Sequence, residues 1–148
     1  MPTRFTLALA AALSLLATTA RADAGADFAE KAAKEKGAVK TASGLVYRSI
    51  VDGKGPQPAA SATVKVNYEG TFIDGKVFDS SKRNGGPISF PLNRVIKCWT
   101  EGVQKMRVGG KAQLVCPPSI AYGAAGAGGV IPPNSTLVFE VELLDLVE

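Results

Sequence analysis

The sequence predicts an α+β domain in which about five antiparallel strands form a sheet around one short helix. Two observations support this class. From Ser43 onward, apolar and polar residues mostly alternate, which is typical of half-buried strands. A single segment, residues 95–106, instead repeats its apolar residues at about every 3.6 positions, as a helix does. No other element could bury such a helix, so one face of the sheet must cover it.

The strands are defined by their alternation and by the turns between them. Thr63–Phe72, with the sequence TVKVNYEGTF, is the clearest strand, and its large apolar residues all fall on one face. Asp74-Gly75 predicts a two-residue hairpin turn, followed by a return strand that begins over Lys76–Asp79. The other predicted strands are Leu45–Val51, Ala112–Cys116 and Leu137–Leu146.

The one predicted helix places four apolar side chains on a single face: Val95, Trp99, Val103 and Met106. Gly109-Gly110 predicts its end, because glycine is favoured just beyond helix termini. We therefore expect this face to pack against the sheet.

The first 22 residues predict a secretory signal peptide. Arg4 provides a positive charge, Phe5–Ala17 is almost entirely apolar, and Ala20-Arg21-Ala22 offers a cleavage site between small residues. The apolar segment is short for a membrane span, and no cysteine follows it to carry a lipid anchor. We expect export to the periplasm without a membrane anchor. A buried N-terminal helix is the alternative.

Residues 23–42 predict a charged helical arm. The segment is rich in Ala, Lys and Glu, which favour helix, but Phe28 is its only large apolar residue. Such a helix has little to bury, so we expect an exposed arm. An amphipathic helix that binds a partner is the alternative.

Composition excludes several classes of chemistry. The chain has no histidine, which excludes histidine triads, histidine bases and histidine metal ligands. Two cysteines alone cannot build a zinc site, so we expect neither a metal nor a cofactor. The net charge is +4, and Arg4 and Arg21 of the predicted signal peptide supply two of those charges. The remainder is too small to indicate nucleic-acid binding.

Cys98 and Cys116 are the two cysteines of the chain. In an exported protein an even pair predicts a disulfide, with two buried thiols as the alternative. Cys98 lies beside Trp99 at the start of the predicted helix, and Cys116 ends a predicted strand. A bridge would therefore join the helix to the sheet.

The segment Tyr122–Pro133, YGAAGAGGVIPP, has four glycines and no charged residue. A phosphate-binding loop needs a lysine or a helix start after its glycines, whereas Val130, Ile131 and two prolines follow here. Because exposed loops are usually polar, a charge-free loop suggests that this segment faces an apolar cleft. A flexible connection without function is the alternative.

Aromatic and large apolar residues from several segments converge on the predicted helix. Trp and Tyr seldom bury their polar groups without a partner, and Asp79 lies directly beside Phe78 at a strand end. Together they describe an apolar cleft with few polar groups, although ordinary core packing explains any single member. The set comprises Tyr68, Phe78, Val95, Ile96, Trp99, Tyr122, Ile131 and Phe139.

Three long segments resemble FKBP-type peptidyl-prolyl cis-trans isomerases: YEGTFIDGKVFDSS, VIKCWTEGVQKMRVGGKAQLVCPPSIAYG and IPPNSTLVFEVELL. The resemblance covers residues 43–148 and implies a five-stranded antiparallel sheet wrapped around one short helix, with the cleft between them. The signal peptide and the arm resemble those of exported bacterial members. Larger relatives carry a long helical dimerisation module that this sequence has no room for, so we expect a single-domain monomer.

The resemblance also implies a role for each cleft residue. Trp99 would form the floor, and Ile88 stands at a wall position that is often Phe in the family. The Tyr122 phenol and the Ile96 N–H would meet ligand carbonyls, and the Asp79 carboxylate a polar ligand group. Tyr122 and, secondarily, Asp79 are the expected catalytic residues. The other implied substrate-binding residues are Tyr68, Phe78, Val95, Ile131 and Phe139.

The implied activity is acceleration of X–Pro isomerisation in exported proteins during folding. The expected partners are proline-containing polypeptides that are unfolded or partly folded, and the macrolide inhibitors of the family. No nucleophile or metal is required, which agrees with the lack of histidine. The alternative is a chaperone module that holds peptides in the cleft with little catalysis.

Overall fold

The computed structural model describes residues 20–147, so residues 1–19 of the predicted signal peptide lie outside the described part. Two helices and seven strands occur within residues 20–147, together with short 3₁₀ turns. In chain order they are α1 (residues 20–33), β1 (Ala38–Lys40), β2 (Val46–Val51), β3 (Thr63–Phe72), β4 (Val77–Ser80), β5 (Ile88–Pro91), α2 (Lys97–Val103), β6 (Lys111–Cys116) and β7 (Leu137–Val147).

All strand pairings are antiparallel, in the order β1-β2-β6-β7-β3-β4. The N-terminal half of β3 pairs with β5 and its C-terminal half with β4, so both short strands share one edge. The five predicted strands are all present, and the α+β class is confirmed. β1 and β5 were not predicted, because segments of three and four residues are too short to show alternation.

The hairpin between β3 and β4 differs from the prediction by one residue. Its loop is residues 73–75 rather than Asp74-Gly75 alone, because the Phe72 N–H donates to the Lys76 carbonyl at 2.9 Å. Gly75 has φ +90°, a conformation that glycine adopts without strain. The Asp74 carboxylate accepts the Lys76 N–H at 2.9 Å. The result is a three-residue turn that closes on a glycine, a common alternative to the two-residue form.

The core lies between α2 and one face of the sheet. Val103, Leu114 and Val141 are fully buried there, together with Trp99. The predicted helical spacing continues to Met106, but α2 ends at Val103 and a turn carries Met106 into the core, with its N–H bonded to the Val103 carbonyl at 3.0 Å. The prediction that Gly109-Gly110 ends the helix was therefore wrong by about one and a half turns.

Gly102 allows α2 to lie directly against β6. A Cβ at this position would come within 2.8 Å of Leu114 Cδ2 and 2.9 Å of Leu114 Cδ1. Such distances leave no room for a methyl group unless Leu114, which is fully buried, moves. The separation of helix and sheet is thus set by a glycine at the contact point.

The arm is less exposed than predicted. Ala29 and Ala32 of α1 are buried against Val46 and Val115, on the sheet face opposite α2. Gly25 lies so close to Thr136 that a Cβ would fall 2.2 Å from its Oγ1. Small residues bury little area themselves, but they let the helix backbone approach the sheet. The arm has only one large apolar residue, so the sequence did not predict that α1 packs against the sheet.

We predict that Gly102→Ala destabilises the fold by about 1–3 kcal/mol, the usual cost of overpacking a core. In a Leu114→Ala background the same substitution should cost nothing or stabilise, because the space is then open and alanine is the better helix former by about 1 kcal/mol. Denaturant unfolding of the double-mutant cycle measures this difference. An equal penalty in both backgrounds would contradict the proposed contact.

Candidate active site

A cavity of about 460 Å³ opens between the start of α2, the edge strands and the segment that follows β6. Its wall is largely aromatic, with one carboxylate and one guanidinium among the side chains. Such a lining, apolar with few polar groups, is typical of small-ligand and peptide sites. The lining residues are Tyr68, Phe78, Asp79, Phe90, Arg94, Val95, Ile96, Trp99, Tyr122 and Phe139.

Trp99 forms the centre of the aromatic cluster. Its ring lies edge to face with three neighbours, at centroid distances of 5.3 Å to Tyr68, 5.6 Å to Phe90 and 5.5 Å to Phe139. These are favourable aromatic geometries, and each neighbour comes from a different strand. The indole is only 4% exposed, so its orientation is fixed by packing on several sides.

The indole N–H of Trp99 is buried and finds no hydrogen-bond partner among residues 20–147. An unpaired buried donor costs about 1–3 kcal/mol, which the surrounding packing must offset. The position of Trp99 therefore depends on shape rather than on a polar anchor.

Phe78 and Phe139 form the opposite wall, with their rings 5.7 Å apart and nearly perpendicular. Gly70 lies beneath both rings, where a Cβ would come within 2.6 Å of Phe78 Cζ and 2.9 Å of Phe139 Cε1. In the sheet Gly70 pairs with Phe139 on one side and with Asp79 on the other. Its missing side chain is what lets the two rings meet over β3.

Asp79 is held by two donors. The Tyr68 hydroxyl donates to Oδ2 at 2.7 Å, and the Asn84 amide donates to Oδ1 at 3.1 Å. Burial, and then the bond to Asp79, raise the pKa of the Tyr68 phenol well above its usual range. Tyr68 therefore stays protonated and Asp79 acts as an acceptor, so this pair fixes the polar corner of the cavity.

Tyr122 is 40% exposed, and its hydroxyl makes no hydrogen bond within the described part of the chain. The loop behind it is ordered by backbone bonds, including Gly126 N–H to the Tyr122 carbonyl at 3.1 Å and Asn134 N–H to the Gly123 carbonyl at 2.9 Å. Ala127 and Ile131 form a bridge within the same loop. The phenol is thus presented to the cavity on a defined support, with its hydrogen-bonding capacity free.

Eight of the ten predicted site residues line the cavity, and Ile88 and Ile131 do not. Ile131 is 7% exposed and belongs to the core, with its backbone engaged in the bridge to Ala127. Ile88 is half-buried on β5, opposite Val66, and the cavity wall is formed instead by Phe90, two residues further along the same strand. A position two residues away shares the strand face, so the pattern could have included Phe90.

Cys98 and Cys116 are joined, with their Cα atoms 5.8 Å apart, and no cysteine is free. Both are fully buried. Cys98 precedes Trp99 in α2, and Cys116 ends β6, so the bridge ties the helix that carries the floor residue to the sheet below it. Between residues 20 and 147, no three His, Cys, Asp or Glu side chains come together as metal ligands would. None of the described helices is both long and apolar enough to cross a membrane.

A sequence model described as FKBP-type peptidyl-prolyl cis-trans isomerase matches residues 55–144, which carry every cavity residue. The chain belongs to this family. The residues that carried the resemblance in the sequence therefore lie on the fold that the family shares, with Trp99 of this FKBP-type domain at the base of its cleft.

Individual relatives agree with this assignment. The chain is 57% identical over 122 residues to the FKBP-type isomerase FkpA of Escherichia coli K12, an alignment covering 82% of this chain and 45% of that protein. The crystal structure of FkpA from Escherichia coli matches with a TM-score of 0.87 and 51% identity, covering 93% of this chain and 64% of that one. An isomerase structure from Pseudomonas syringae pv. tomato DC3000 matches with a TM-score of 0.82 and 39% identity, covering 88% of this chain and 96% of that one. The matched part of the chain thus spans less than half the length of the FkpA protein.

We predict that the free energy of unfolding falls above about pH 10 and that Tyr68 causes part of the fall. Because the native pKa of Tyr68 is raised, the unfolded chain loses that proton first as the pH rises, and the unfolded state then binds fewer protons. The limiting slope for one proton is about 1.4 kcal/mol per pH unit. Denaturant unfolding of wild type and Tyr68→Phe at increasing alkaline pH checks this. The wild type should lose stability more steeply, and parallel curves would argue against it.

We predict that Gly126→Ala perturbs the loop behind Tyr122, whereas Gly128→Ala does not. Gly126 has φ +66°, and a Cβ there would lie 2.2 Å from the Ile131 carbonyl oxygen. Gly128 has open space around it and an ordinary φ, which makes it a matched control two residues away. The first change should cost about 1–2 kcal/mol and shift the Tyr122 ring resonances, and the second less than about 0.5 kcal/mol. Similar effects from both would show that the loop is not so constrained.

Proposed function

We propose that the chain is a peptidyl-prolyl cis-trans isomerase that accelerates X–Pro isomerisation in exported proteins during their folding. The observation that carries the proposal is the aromatic cavity over Trp99, because it offers a bound proline an apolar, preformed surface. Family membership and the presence of Tyr68, Phe78, Asp79 and Tyr122 in one cavity support it.

The chemistry of the reaction fits such a cavity. The two isomers of an X–Pro bond differ by about 1 kcal/mol but are separated by roughly 18–20 kcal/mol, because rotation breaks amide resonance. The planar amide carries more charge on its oxygen than the twisted transition state does. An apolar cavity therefore disfavours the planar ground state more than the twisted one, which lowers the barrier.

Three polar groups can hold the substrate while the bond rotates. The Tyr122 hydroxyl has a free donor to offer a substrate carbonyl, and Ile96, the residue before α2, lines the same cavity and would offer its backbone N–H as a second donor. Asp79 already accepts bonds from Tyr68 and Asn84, so it serves as a fixed acceptor for a polar substrate group. None of these groups transfers a proton in this scheme, so positioning is their contribution.

The substrates are proline-containing polypeptides in unfolded or partly folded states, and the family's macrolide inhibitors occupy the same cavity. The predicted signal peptide, residues 1–22, supports export to the periplasm, where exported chains fold. We propose that it acts as a monomer.

The proposed function predicts that Trp99→Ala loses more activity than Tyr122→Phe in a peptide isomerisation assay. Trp99→Ala removes the floor and should abolish most of the acceleration, with a stability loss of about 3–5 kcal/mol. Tyr122→Phe removes one exposed hydroxyl and should lower the rate less, with stability nearly unchanged. Circular dichroism and unfolding curves establish that each variant is folded at the assay temperature.

Two outcomes would overturn the proposal. A folded Trp99→Ala protein with wild-type activity would show that the reaction occurs elsewhere. A wild-type protein that binds proline peptides but gives no acceleration at saturating amounts would instead identify a peptide-binding module with little catalysis.

A further inference from the structure

We propose that Arg94 makes this cavity selective for prolines flanked by an acidic residue. The inference comes from the charged groups around the cavity. Its relevance to catalysis rests on the proposed function. Arg94 is the one basic side chain among the residues that line it.

Arg94 is free to meet a substrate. Its side chain is exposed at the cavity rim, and it forms no salt bridge with any carboxylate in the described part of the chain. A guanidinium offers five N–H donors in a planar arrangement that matches a carboxylate. An acidic side chain next to a bound proline would therefore find an unoccupied and geometrically suitable partner.

Asp79, the carboxylate of the cavity, already has hydrogen-bond partners, whereas Arg94 has no salt-bridge partner in the described part of the chain. Both oxygens of Asp79 already accept hydrogen bonds, from Tyr68 and from Asn84. Each oxygen can still accept a further bond, but part of its capacity is already used. The polar groups of the cavity thus favour an acidic neighbour of proline over a basic one.

The sequence around the rim has the same bias. Between Asp79 and Glu101 the chain carries four basic residues and no acidic one. Glu101 itself accepts a hydrogen bond from the Ser43 hydroxyl on the far side of α2. The opening loop, Tyr122–Pro133, has no charge at all. Of these four basic residues Arg94 is the one that lines the cavity, so it supplies the positive charge that a bound substrate meets.

The test compares peptides that differ only in one residue next to proline. One set places Glu, Gln or Lys before the proline, and a second set places them after it. Trp99 is the single tryptophan of the chain and lies at the cavity floor, so its fluorescence reports binding without requiring catalysis. Isomerisation of the same peptides is followed separately by exchange NMR.

The variants are Arg94→Gln, Arg94→Glu and, as a matched control, Lys97→Gln. Lys97 is exposed three residues away and does not line the cavity, so its loss changes the net charge equally without touching the site. In one or both peptide sets, wild type should bind the Glu peptide about fivefold more tightly than the Lys peptide at low salt, with the ratio falling at high salt. Arg94→Gln should remove most of this ratio, Arg94→Glu should invert it, and Lys97→Gln should keep it.

The inference is overturned if wild type binds the Glu and Lys peptides equally in both sets, or if Lys97→Gln lowers the ratio as much as Arg94→Gln. These failures differ from failure of the proposed function. If the peptides bind with the expected ratio of affinities but are not isomerised faster, the proposed enzymatic activity is contradicted and the role of Arg94 is supported. If they are isomerised faster but bind with equal affinities, the activity is supported and the role of Arg94 is contradicted. Absence of any binding would overturn both.

Discussion

The close packing of α2 against the sheet is the constraint on which the rest of the site depends. Gly102 sets the distance by removing a side chain at the contact with Leu114, and the Cys98–Cys116 bridge joins the helix to β6 beside it. Trp99 lies between these two points in α2, so both contacts help to hold it at the cavity. Because its indole N–H has no polar partner in residues 20–147, packing rather than a hydrogen bond orients the floor of the site.

The charges around the cavity impose a second, electrostatic constraint. A cavity that lowers an isomerisation barrier through its apolar surface must keep charge and water away from the bound amide. The uncharged loop and the aromatic walls do this, and the two charged groups of the lining are kept at its edge. Asp79 is held by Tyr68 and Asn84, and Arg94 lies exposed at the rim. In the proposed function, catalysis and selectivity would therefore lie in different parts of one cavity.

Much of this arrangement could be predicted from the sequence because it follows from periodicity. Alternation over Thr63–Phe72 predicted β3 and the inward direction of Tyr68, and the spacing of Trp99 and Val103 predicted the buried face of α2. The cluster around Trp99 followed from the same patterns together with the family resemblance, which relates segments far apart in the chain.

What could not be predicted depends on backbone geometry or on single residues. β1 and β5 are too short to show alternation of apolar and polar residues. α1 docks on the sheet through Gly25, Ala29 and Ala32, and residues this small do not indicate a buried helix face in the sequence. A lone arginine before two apolar residues looks like an ordinary solvated charge. Only the fold places Arg94 in the cavity.

The most direct test of the central claim is a crystal structure of the protein with a macrolide inhibitor that carries a pipecolyl ring. We expect this ring to lie flat over the Trp99 indole, between Tyr68, Phe78 and Phe139, with a ligand carbonyl within hydrogen-bonding distance of the Tyr122 hydroxyl. A ligand bound elsewhere, for example in the polar groove on the opposite sheet face near Lys111 and Glu140, would contradict it.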